Sequence, residues 1–149
     1  MIVVPTRRLR WLSLIYGVVI LLWLSREDND VAGVAVLGCG LTVLLLVQAV
    51  TGRLGGRPIP STYVLIGAVV LGLLAGLGTA VTTTGLMVFK NALHAHLYLD
   101  YPPHIVLGIL QRAPVWGLAG GLMGLGMALA WCAVRREAAV KAADGGCVS

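Results

Sequence analysis

The sequence predicts an all-α integral membrane protein with four transmembrane helices and both termini in the cytoplasm, and three observations lead there. Only 11% of the 149 residues are charged against 58% hydrophobic, whereas a water-soluble domain carries roughly a quarter charged residues. The few charges leave four long runs free of Asp, Glu, Lys and Arg. The basic residues between those runs fall unequally on alternate sides. A surface so poor in charge faces lipid, and the chain amounts to a single membrane domain.

The charge-free runs cover residues 11–25, 31–52, 58–89 and 113–134. Crossing a hydrocarbon core about 30 Å thick takes about 20 helical residues at 1.5 Å each. The first run is short, about 22 Å, but Arg10 and Arg26 lengthen it by snorkelling, which puts the first span at residues 9–25. Arg7, Arg8 and Arg10 before an apolar stretch also have the form of a secretory signal. No small-x-small cleavage site follows, however, and the bulky Trp11 and Trp23 suit a retained anchor. The second span is residues 31–51. Pro58 and Pro60 are poor helix-interior residues, so the third span starts after them and covers residues 61–84. The fourth is residues 113–134, with a cytoplasmic tail over residues 135–149.

Four spans put the N-terminus, the connection around Arg53 and Arg57, and the C-terminal tail on one side. That side holds Arg7, Arg8, Arg10, Arg53, Arg57, Arg135, Arg136 and Lys141, against Arg26, Lys90 and Arg112 on the other. Short cytoplasmic loops collect Lys and Arg, so eight against three makes the first side cytoplasmic. The expected location is a plasma membrane of prokaryotic type. Trp11 and Trp23 bracket the first span, Trp116 and Trp131 bracket the fourth, and Tyr63 opens the third. These rings anchor at headgroup depth, where the ring is buried and the polar atom reaches water.

Between lipid-embedded helices, close approach of small residues drives association. Ala68, Gly72, Gly76 and Ala80 make such a stripe on the third span. Gly120, Gly124 and Ala128 do so on the fourth, with Gly117 and Gly121 on a neighbouring row. The expectation is a four-helix bundle in which the third and fourth spans cross along these stripes. Polar residues within the spans are few. Gln48 is read as an interhelical hydrogen-bond partner, and Thr79, Thr82, Thr83 and Thr84 as hydroxyls that bond their own helix at i−4.

Residues 85–112, between the third and fourth spans, are longer than a connector needs and hold every histidine, His94, His96 and His104. Leu86, Phe89, Leu93 and Leu97 share one helical face, and Lys90, His94 and Tyr98 another. The third helix therefore either continues beyond the membrane or bends near Gly85. Pro102 and Pro103 interrupt it, and Ile105, Val106, Ile109 and Leu110 then form an amphipathic, interfacial helix. His94, His96 and His104, with Asp100, are donors that a metal, heme or chlorin accepts. His94 and His96 point to opposite faces of a helix, so no cofactor is expected, and these residues are carried as the candidate cofactor-binding positions.

The chain has no P-loop, nucleophile elbow, His-Glu-x-x-His or dinucleotide fingerprint, and Cys39, Cys132 and Cys147 form no Cys-x-x-Cys pair. A sequence pI of 9.6 reflects topology rather than nucleic acid; acidic lipid headgroups are partner enough. The expected function is that of a non-catalytic accessory or structural subunit of a larger respiratory, photosynthetic or transport assembly, with lipids and other integral membrane subunits as partners. The alternatives are a small homo-oligomeric channel or transporter, and a cofactor-binding protein, including one in electron transport, that uses the outer histidines.

Overall fold

The computed structural model of the chain describes residues 6–26, 30–54, 61–93 and 100–145. Helices cover 94% of these residues, with no strand among them. In chain order they are α1 (Thr6–Leu24), α2 (Val31–Leu54), α3 (Ser61–Leu93), α4 (Pro103–Gln111) and α5 (Ala113–Gly145). Three stretches, Val31–Arg53, Tyr63–Leu93 and Pro103–Glu137, are long and apolar enough to cross a membrane, at 23, 31 and 35 residues. α1 falls short of that standard because its 19 residues open with Arg7, Arg8 and Arg10.

Local chemistry sets several helix ends. Asp30 caps α2: its carboxylate accepts the backbone N–H of Ala32 at 2.9 Å and of Gly33 at 3.0 Å. These are among the donors that a helix start leaves without an intrahelical partner. α4 opens with Pro103 at its first position, where no N–H is needed. Arg112 closes α4, and its carbonyl accepts the N–H of Trp116 at 3.0 Å. α4 thus leads into α5 almost without a break, the interruption falling at Arg112, two residues before Pro114, which has no N–H to give.

Two helices are longer than the spans expected from charge. α3 does not bend at Gly85 but runs on to Leu93, 33 residues in all, or about 50 Å. α5 continues to Gly145 through residues expected as a tail. Charges end a lipid-facing stretch but not a helix, and Arg, Glu, Ala and Lys are strong helix formers. His94 and His96 lie outside the described residues.

α3 is the hub. It packs along most of α5 on one face and along α2 on another, while α4 lies against its C-terminal part. α1 touches mainly α2, and no comparable contact joins α2 to α5 or α1 to α5 among the described residues. Among the described residues the helices therefore pack as an open row. The pairs α1–α2, α2–α3 and α3–α5 are each antiparallel. Tyr16 of α1 donates to the carbonyl of Leu37, Gly38 faces Thr83, and Gly72 faces Gly120. The antiparallel register in which Gly72 meets Gly120 also brings Asn91 to Tyr101, so the chain before α4 returns along α3 in line with α5.

Small residues explain the closeness of the central pairs. A Cβ on Gly72 would stand 2.1 Å from the Gly120 carbonyl oxygen, and one on Gly124 would stand 2.2 Å from that of Ala68. Backbone thus lies directly on backbone. Gly117 and Gly121 instead receive the side chains of Leu77 and Leu73, while Ala80 and Ala128 are buried alongside. On the α2 side, Gly78 makes room for the methyl group of Thr42.

Candidate functional site

A cluster of buried side chains lies at the end of the row where α3 finishes. Val34 of α2, Leu86 and Met87 of α3, Tyr101 just before α4 and Ile109 of α4 form it, with Ile20 and Trp23 of α1 and Trp116 of α5 against them. All five helices therefore meet here. Embedded in the same end is a cation: Lys90 has no exposed surface.

The ammonium of Lys90 lies 4.8 Å from the centre of the Trp23 ring and 5.7 Å from that of Tyr101. Both distances fall within the roughly 6 Å at which a ring face attracts a cation. Such contacts strengthen out of water, reaching about 2 kcal/mol. They offset part of the cost of removing an ammonium from solvent, which is several kcal/mol. Lys90 faces inward for a geometric reason. It lies seven residues, close to two turns, beyond Thr83, on the arc of α3 between its two packing faces, and Thr83 is likewise fully covered.

Tyr101 is held by its backbone. The Asn91 carboxamide donates through Nδ2 to the Tyr101 carbonyl at 2.8 Å and accepts the Tyr101 N–H through Oδ1 at 2.9 Å. This pair of bonds imitates a strand ladder at a point where the chain is not helical. It positions the Tyr101 ring, 1% exposed, beside Lys90. The site thus ties α1, α3 and the approach to α4 around one fixed positive charge.

Below this box, hydroxyls join α3 to α2. Thr82 Oγ1 lies 2.8 Å from both the Gly78 carbonyl of its own helix and the Gly38 carbonyl of α2. It is 2.9 Å from Thr42 Oγ1, which itself donates to the Gly38 carbonyl at 2.9 Å. Thr79 donates to the Ala75 carbonyl at 2.7 Å. The buried hydroxyl oxygens of Thr83 and Thr84 make no hydrogen bond among the described residues. Gln48 donates to Ser13, linking α2 to α1 near the opposite end.

The aromatic anchors divide by end. Trp11, Tyr63 and Trp131, at the end where α1 and α3 begin, are 60%, 65% and 42% exposed. The Arg135 guanidinium stacks 4.0 Å from the Trp131 ring. Trp23 and Trp116, at the other end, turn inward onto the Lys90 cluster. His104 is exposed on the first turn of α4; His94 and His96, expected alongside it, lie outside the described residues. No group of three His, Cys, Asp or Glu able to hold a metal occurs among the described residues.

Sequence reasoning passed over Tyr101 and Asn91, and it placed Lys90 on an outer helical face rather than in a buried site. One signal was present: Lys90 is the only Lys or Arg between Arg57 and Arg112, and an isolated cation in a long apolar region marks a site with a specific partner. Neither a family model, nor a curated protein, nor a solved structure matches this chain, so its function is to be read from its own residues.

Proposed function

We propose that the chain spans a membrane four times, with both termini cytoplasmic, and acts as a non-catalytic subunit of a larger membrane assembly. α1 supplies the fourth span, its three arginines snorkelling to the headgroups and Trp23 closing over Lys90 at the far end. The surplus of Lys and Arg near α1's start, α2's end and the distal part of α5 supports the cytoplasmic placement.

One observation carries the subunit reading. α3 has small residues on two faces, and a helix occupies each. α5 has two such faces, and among the described residues only one is occupied. Opposite the α3 contact, Ala119, Gly126, Ala130 and Ala133 fall on one side of α5, bordered by Leu122 and Met123, which are 69% and 70% exposed. A Cβ on Gly126 would meet nothing within 4 Å. Small residues admit close helix approach in lipid, and methionine adapts to the surface it meets. The free face of α5 is thus suited to a helix of another subunit.

Gentle detergent extraction, native gel electrophoresis and mass spectrometry of the band test this. The expected result is co-migration with a different membrane protein, lost in Gly126→Leu, which has space to fold normally. A chain that migrates alone refutes the reading, and one that migrates only with copies of itself favours the homo-oligomeric channel or transporter.

A further inference from the structure

At the end of the molecule opposite Lys90, α1 and α2 part to leave a crevice of about 220 Å³, lined by Leu9, Arg10, Gln48, Thr51 and Gly52. Its lining is mostly apolar. The gap exists because Gly52 contributes no side chain, and a Cβ there would meet nothing within 4 Å. We infer that this crevice binds the phosphate headgroup of an anionic phospholipid, with Arg10 as the principal contact. The inference rests on the membrane location proposed above but not on the subunit role.

Three observations converge on it. Arg10 is exposed and makes no ion pair among the described residues; the same holds for Arg7 and Arg8 on the same helix and for Arg53, next to Gly52 in the chain. Their combined field attracts an anion, and a guanidinium pairs with phosphate through two parallel hydrogen bonds. Gln48 spends one N–H on Ser13 and retains the other. Thr51 gives its proton to the Val47 carbonyl at 2.7 Å, so it offers only an acceptor, which suits a headgroup hydroxyl. A mostly apolar lining that also includes an exposed guanidinium matches a lipid, which has both an acyl chain and a phosphate, better than a free ion. Basic pockets between transmembrane helices recognise acidic headgroups on this principle.

The test is native mass spectrometry of the full chain in neutral detergent, titrated separately with phosphatidylglycerol, phosphatidylcholine and inorganic phosphate. One phosphatidylglycerol should bind per chain ahead of phosphatidylcholine. Arg10→Gln should weaken that binding about fivefold, Arg10→Lys should keep most of it, and Gly52→Leu, which fills the crevice, should abolish it. Equal binding of the two lipids, or no change in either Arg10→Gln or Gly52→Leu, overturns the assignment. Displacement of phosphatidylglycerol by millimolar phosphate also overturns it, in favour of a free-phosphate site. A chain that keeps its protein partner but shows no lipid preference refutes this inference alone.

Discussion

Replacing Gly76 with alanine adds one methyl group where α3 has no space for it. The new Cβ would stand 1.9 Å from the carbonyl oxygen of Trp116, 2.4 Å from its carbonyl carbon and 2.8 Å from the Cα of Gly117. All three are backbone atoms of α5, so no rotamer change relieves the clash. Ordinary contact begins at 3.4 Å, so the helices must separate by about 1.5 Å at this point. A gap of even 0.5–1 Å forfeits about a quarter to a half of a dispersion contact. In lipid no hydrophobic force draws the helices back together. Overpacking a tight contact typically costs about 1–3 kcal/mol, and Gly76→Ala belongs at the upper end because backbone meets backbone. Gly67→Ala is the control: nothing lies within 4 Å of its Cβ, and alanine's helix propensity favours the change by up to about 1 kcal/mol. Reversible unfolding by SDS in mixed micelles, followed by tryptophan fluorescence, measures both. Stabilities for the two variants within about 0.5 kcal/mol of each other, the scatter of unconstrained surface changes, would refute the claim that α3 and α5 touch backbone to backbone.

Three further outcomes follow from the same geometry. Gly78→Ala places a Cβ 2.6 Å from the Thr42 Cγ2 methyl group and should cost about 1–2 kcal/mol; Thr42→Ser removes that methyl group and should restore most of the loss in the double variant. Asn91→Ala deletes both bonds to the Tyr101 backbone and should cost about 1–3 kcal/mol, with hydrogen exchange at the Tyr101 amide rising in step. A double-mutant cycle between Lys90→Met and Trp23→Leu should report a favourable coupling of about 1–2 kcal/mol; a coupling near zero would remove Trp23 from the site.

Much of the helix plan was readable from where charges are absent, because lipid tolerates so few of them. The starts of α2 and α5 fall at the first residues of charge-free runs for that reason. The ends were less readable. Counting charge ended the third span before Lys90, yet the helix continues and turns the lysine inward, because the neighbouring helices supply Trp23 and Tyr101 to cover it. Likewise Arg135, Arg136 and Glu137 end a lipid-facing surface while remaining good helix residues.

The site depends on contacts between residues far apart in the chain. Trp23, Lys90 and Tyr101 lie on three different segments, and neither spacing nor periodicity within one segment brings them together. Small-residue stripes were visible as patterns on α3 and α5. Their pairing, with Gly72 against Gly120 and Gly76 against Trp116, required knowledge of the register. The open row had no sequence signal, because the second face of α3, with Gly78 and Thr82, has no simple four-residue stripe.

The central claim is that these helices form a membrane-embedded antiparallel row in which α1 is a full span. Single cysteines introduced by Thr6→Cys, Arg53→Cys, His104→Cys and Glu137→Cys, with Cys39, Cys132 and Cys147 first changed to alanine, test it through labelling by a membrane-impermeant maleimide in intact cells and in inverted vesicles. The account predicts that positions 6, 53 and 137 label only in inverted vesicles and position 104 only in intact cells. Position 6 labelling from the same side as position 104 would reduce the row to three spans and contradict the account.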